Sequence, residues 1–383
     1  MLRRVCLAAA VLFVASLLAV VAHRAGGRAE AIRADVPPAT TTAPTTTTTT
    51  TTAPPTTTTT AAPTTTAAPA PATAPAPRPK VKPAQAPSTL LPPITLPVLT
   101  PPSPAPAPAP KGPPATGLGP YLGLGTWVDV YDWSATYARN GITVSALDVR
   151  AMVAAGVQTL YIQASKHDSP TDILEPERLR PFIDTAHSAG LRVVVWYLPT
   201  LVDPGADLRK IKAIADLPNT DGIAIDIESK DVTDVADRNR RLVDLSSAVR
   251  SMLPGRTIGA IVLPPVALEV INPSYWPGFP YREIAPFYDV WMPMGYWTNR
   301  TSASGYRDAN RYTTENVVRL RNNLGRPDAP VHPVGGIGNH TTAADIDGYM
   351  IGLGNVHAVG GSIYDWHTTA AALWSKLRLI RNR

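Results

Sequence analysis

The string in this sequence with the most evident chemistry is Asp221-Gly222-Ile223-Ala224-Ile225-Asp226-Ile227-Glu228. Read as a β-strand, alternate residues share a face, so Gly222, Ala224, Asp226 and Glu228 lie on one side and the three isoleucines on the other. The branched face must pack against helices, which turns both carboxylates toward the opposite, open side. Two acids that close repel, and one of them is driven to hold a proton near neutral pH. A proton-holding carboxyl is what protonation of a glycosidic oxygen requires. The other reading, both carboxylates partnered by arginines in a structural ion-pair network, perturbs titration as well and stays open.

The elements that must position these acids recur eight times after Leu118. The expected strands are Leu122–Val128, Val157–Gln163, Leu191–Leu198, Gly222–Ile227, Thr257–Val262, Val290–Met294, Val331–Gly335 and Ala358–Tyr364, separated by amphipathic stretches. Ser145 with Asp148, and Pro176 with Gly190, supply helix-end chemistry. Runs such as Val193-Val194-Val195 are apolar on both faces, as a covered parallel sheet demands. Eight β-then-α units in one domain predict a TIM (β/α)8 barrel, whose reacting groups sit at the C-terminal strand ends. Those ends carry Asp129 and Asp132, Gln163, Trp196 and Tyr197, Asp226 and Glu228, then Met294, Tyr296 and Trp297, and finally Tyr364, Asp365 and Trp366. All eight Trp fall in this part of the chain. Trp297 and Trp366 are expected to stack on sugar rings, and Trp127, Trp291 and Trp374 to be core.

At the fourth strand the sequence resembles glycoside hydrolase family 18, the chitinase-like barrels, whose strand reads Asp-Gly-x-Asp-x-Asp-x-Glu. Asp221, Gly222, Asp226 and Glu228 match, while Ala224 replaces the middle Asp. Met294-Gly295-Tyr296 is similar to the family's Met-x-Tyr, and Gly360-Gly361 leading to Trp366 to its terminal Gly-Gly…Trp. The resemblance implies Glu228 as proton donor, Asp226 as the group orienting an N-acetyl substituent, and Tyr296 as a hydrogen-bond donor to it. The loss of the Asp at 224 weakens that substrate-assisted route. Asp-x-Glu together with Asp129 and Gly123-Leu124-Gly125 shows a weaker similarity to the lysozyme-type barrels of glycoside hydrolase family 25, which would imply peptidoglycan. The function expected is therefore an exported glycoside hydrolase with Glu228 as general acid and Asp226 as partner. Asp129, Gln163, Trp196, Tyr197, Met294, Trp297, Asp365 and Trp366 would bind a polysaccharide. The alternative is a catalytically silent carbohydrate-binding or wall-associated barrel.

The rest of the chain narrows the partners. Of 35 Lys+Arg and 29 Asp+Glu, nine and two precede Thr116, leaving 26 against 27 in the remainder. The folded part thus has no basic surplus for a phosphate backbone, and nucleic acid is excluded as a partner. One Cys among 383 residues, at position 6, rules out a disulfide framework. No His-Glu-x-x-His, His-x-His or Gly-x-Ser-x-Gly occurs, so no metal, no cofactor and no serine nucleophile is expected. Arg3 and Arg4 precede an uncharged run from Val5 to Ala22, the pattern of an export signal, long enough to serve as a membrane anchor if uncleaved. Residues 36–116 are a Thr/Pro/Ala-rich stretch that cannot bury a core and reads as a disordered spacer. The expected domains are 1–35 (signal or anchor), 36–116 (linker) and 117–383 (barrel), in an extracellular setting.

Overall fold

The structure, a computed structural model, describes residues 117–382. The signal or anchor segment and the linker lie outside the described residues. No described helix is long and apolar enough to cross a membrane.

Eight strands alternate with eight helices: β1 (Gly123–Val128), α1 (Val149–Ala155), β2 (Thr159–Gln163), α2 (Pro176–Ser188), β3 (Arg192–Tyr197), α3 (Pro204–Ala215), β4 (Gly222–Ile227) and α4 (Val235–Met252) form the first half. β5 (Ile258–Val262), α5 (Tyr281–Ile284), β6 (Val290–Pro293), α6 (Ala309–Leu324), β7 (Val334–Ile337), α7 (Ala343–Asn355), β8 (Gly360–Tyr364) and α8 (Trp374–Leu377) form the second. All pairings are parallel, in the order β6-β5-β4-β3-β2-β1-β8-β7. Two isolated bridges, Trp291 to Val331 and Met294 to Val334, bring β6 back to β7, so the sheet is a nearly closed TIM barrel.

The helices start where the sequence offers a side-chain acceptor. Asp203, Asp234, Asp308 and Thr342 each accept a backbone N–H from the first turn of α3, α4, α6 and α7. β4 spans the residues expected of it. β7 is displaced toward the C-terminus from Val331–Gly335 because Pro333 has no N–H to give the ladder; the chain before it pairs only through the single bridges.

The lower half of the barrel is filled from an unexpected source. A short 3₁₀ turn, Gly119–Tyr121, drives Tyr121 between the strands from the N-terminal side. Its hydroxyl lies 2.7 Å from Ile223 O and 3.1 Å from Thr257 O. A Cβ on Gly222 would stand 2.8 Å from that hydroxyl, and one on Gly259 would stand 3.0 Å from the Tyr121 ring, so both positions are glycine for room. The Gly259 position also abuts the Ala224 methyl and the Met292 sulfur, which places Ala224 on the interior face and gives a packing reason for a small residue there.

A polar chain crosses this floor. The Trp127 indole donates to Ser362 Oγ (2.8 Å), and Ser362 Oγ lies 3.1 Å from His332 Nε2. His332 Nδ1 is 2.8 Å from Tyr121 O, which can only accept. The proton of the neutral imidazole therefore sits on Nδ1, and Ser362 donates to Nε2. Burial pushes the His332 pKa down to about 4. His332 is thus a satisfied structural histidine.

Candidate active site at the barrel mouth

β4 delivers its two carboxylates to the C-terminal end of the barrel. Alternation from interior Ala224 puts Asp226 and Glu228 on the same inward face. Asp226 is fully buried, and Glu228 above it, 7 % exposed, lines a pocket of about 110 Å³. The other walls are Asp129 after β1, Gln163 at the end of β2, and Trp196 and Leu198 from β3 and its exit. Tyr131, Lys166 and His167 complete it from the β1 and β2 loops.

The β1 and β8 ends are tied into one unit. Asp129 caps a helical turn, Val130–Trp133: one carboxylate oxygen accepts the Tyr131 N–H (2.7 Å), and the Asp132 carboxylate answers by accepting the Asp129 N–H (3.3 Å). Tyr364 donates its hydroxyl to the other Asp129 oxygen. Tyr296 stands beside Tyr364, with ring centroids 5.8 Å apart. Gln163 accepts from Val130 N–H (3.3 Å) and its carbonyl accepts from the Trp133 indole (3.1 Å), fastening β2 to the same turn. After the cis peptide Tyr364–Asp365, the Asp365 carboxylate accepts the Thr368 N–H (2.8 Å).

Asp129, Asp132 and Asp365 are all buried, with carboxylate oxygens within 4.8 Å of one another. Burial, then the charges of Asp129 and Asp365, push the Asp132 pKa up to about 8. Burial and Asp129 likewise raise that of Asp365. Asp132 and Asp365 thus favour a shared proton near neutral pH, with Asp132 the member raised further. Among the described residues these three also have the spacing to hold a cation. Tyr364, Thr143, Thr368 and the Tyr131 backbone amide already donate to them.

Several residues expected at the mouth lie elsewhere. Tyr197 follows Trp196 by one position and faces outward, donating its hydroxyl to Asp207 of α3 (2.7 Å). Trp297, one position past inward Tyr296, is fully buried against Tyr349 of α7, with centroids 5.1 Å apart and no face free for a sugar. Met294 is fully buried. Trp366 is half-buried and packs on Trp374 (centroids 4.9 Å apart), lining a separate shallow hollow of about 560 Å³. Residues that sequence reasoning did not single out are Tyr131, in the short helical turn after β1, and Lys166 and His167, in the loop after β2, segments that carry no periodic signal. Tyr275, in the loop after β5, is a fourth. Burial raises its pKa, and so does the charge of Glu228, which places Glu228 in its electrostatic neighbourhood.

The comparisons with known proteins concern the fold. The family 18 chitinase from Cycas revoluta, solved with allosamidin, superposes with a TM-score of 0.50 at 10% identity, covering 67% of this chain and 98% of that one. The β-galactosidase of Marinomonas ef1 gives 0.50 at 11% identity, over 68% of this chain and 59% of the enzyme. The barrel resembles those of glycoside hydrolases. No family model matches the sequence, and no curated protein does.

Proposed function

We propose that the chain is a glycoside hydrolase of an extracellular or cell-wall polysaccharide, with Glu228 as the proton donor. The observation that carries this reading is that Glu228 from β4 and Asp129 from β1 line one pocket with Trp196 between them in chain order. An acid and a second carboxylate lining one pocket are the equipment of glycoside cleavage. In this scheme Glu228 protonates the leaving glycosidic oxygen. Asp226, buried beneath it on the same strand face, keeps it poised, and Tyr296 and Tyr364 order the opposite wall. The interior position that family 18 fills with an Asp is Ala224, against Gly259 and near Tyr121. Asp129, held by Tyr364 and by the Tyr131 amide, therefore takes the part of the second carboxylate. The export-type N-terminal sequence and the Thr/Pro/Ala-rich stretch support action outside the cell, attached to the membrane if the apolar run is retained.

Reducing-end release from chitin oligomers and from peptidoglycan tests the scheme. Glu228→Gln is expected to lower turnover by about 10²-fold or more while leaving binding measurable. Equal rates in the two proteins would remove Glu228 from the chemistry. A second reading, a barrel that binds glycans without cleaving them, draws on Ala224 in place of the family acid; tight binding without turnover by the wild type would establish it.

A further inference from the structure

Beyond Glu228 the chain carries two cations that belong to no ion pair among the described residues. Lys230, two residues beyond Glu228, holds its ammonium 3.8 Å from the centroid of the Tyr275 ring. Arg238, in the first turns of α4 and only 3 % exposed, lays its guanidinium 4.1 Å from the centroid of Trp276. The Trp276 indole is fixed in turn by Asn239 Oδ1 (2.7 Å). Arg238 gives one Nη hydrogen to Val232 O (3.3 Å), and its buried Nε has no hydrogen-bond partner. Among the described residues neither cation belongs to an ion pair, whereas Arg209, Arg240, Arg241, Arg250, Arg307 and Arg319 each do.

A buried guanidinium that lacks a carboxylate carries a desolvation cost that a negative group would offset. Burial and then the neighbouring Arg238 charge lower the pKa of Lys230, so the two cations share one field. The Tyr275 hydroxyl senses both Glu228 and Arg238, which ties this corner to the pocket wall. Lys230 is exposed here and can receive a carboxylate oxygen, while the buried Arg238 adds its positive charge from behind the surface.

We propose that Lys230, Tyr275 and Arg238 form a subsite for a carboxylate carried by the glycan, so that the substrate is an acidic rather than a neutral polysaccharide. The inference rests on the glycoside hydrolase reading for its polymer, and its test separates the two. The full chain is titrated with peptide-free peptidoglycan strands, which bear a lactyl carboxylate on alternate sugars, and with the same strands after amidation of that carboxylate. Binding and reducing-end release are followed together. The acidic strands are expected to bind about tenfold more tightly, the worth of one charge-assisted contact. Lys230→Met is expected to bring the ratio close to one and Lys230→Glu to invert it. Arg238→Met should act like Lys230→Met, provided its melting curve remains cooperative; the exposed Lys230 keeps the test decisive if it does not. A wild-type ratio near one, or a ratio that neither Lys230 variant moves, overturns the subsite. Preferential binding of acidic strands without cleavage keeps the subsite and removes hydrolysis. Equal binding and cleavage of both strands does the reverse, and binding of neither removes both.

Discussion

Asp132 shows how one side chain can be spent on holding a site together. With its pKa pushed up to about 8 in the folded chain, it stays protonated over a range where the unfolded chain has already lost that proton. Its contribution to stability is therefore fully present below the unfolded value near 4 and is lost as pH rises toward 8, with a slope of at most about 1.4 kcal/mol per pH unit. Asp132→Asn, which keeps the amide-sized shape without the charge, is expected to flatten that limb; thermal melts at intervals between pH 4 and 8 would show it. An unchanged slope would mean that the proton lies elsewhere in the trio. His332 has the opposite sign. Its pKa, lowered to about 4, leaves it neutral while the unfolded chain protonates below about 6.5, so its contribution is lost as pH falls from there toward 4. Because the two limbs overlap and partly offset each other, the single variants, Asp132→Asn and His332→Gln, are the way to see each one. His332→Gln should steepen the wild-type rise in stability toward acid by removing the opposing term.

Strands and loops differ in how far the residue pattern alone describes them. β4 was legible to the residue because Gly-Ile-Ala-Ile-Asp-Ile alternates without interruption, and the inward side of Asp226 and Glu228 follows from that alternation. The same rule, applied strictly, would have placed Tyr197 and Trp297 correctly. Each stands one position beyond an inward neighbour, Trp196 or Tyr296, and the pleat turns it away from the mouth. Aromatic character had suggested a cleft, but geometry assigned both to helix contacts. β7 slipped because a proline inside an apolar run reads as strand by composition yet removes a donor. Lys166, His167 and Tyr275 were not visible, since loops after β2 and β5 have no period and their approach to the mouth depends on the closure of the whole ring. Tyr197→Phe gives a direct check on orientation. It should cost about 1 kcal/mol or more in denaturant unfolding through loss of the bond to buried Asp207, and leave glycan binding at the wild-type level.

The barrel as a body has two unlike ends. One end gathers acids, aromatic rings and the two cations that follow Glu228 in the chain. The other is closed by Tyr121, whose ring takes the space that Gly222 and Gly259 leave empty. Tyr121→Ala would open a cavity under the strands and orphan two carbonyls, at a cost of about 3–5 kcal/mol in denaturant unfolding. A smaller cost would mean that the strands collapse onto the gap. The carbonyl of Gly117, the first described residue, accepts from Thr257 Oγ1 (2.9 Å) at this same closed end. That arrangement has a mechanical meaning. A tug arriving through the N-terminal side would strain the Tyr121 stopper first, and the gripping surface around Glu228 would keep its shape until the base had been uncorked.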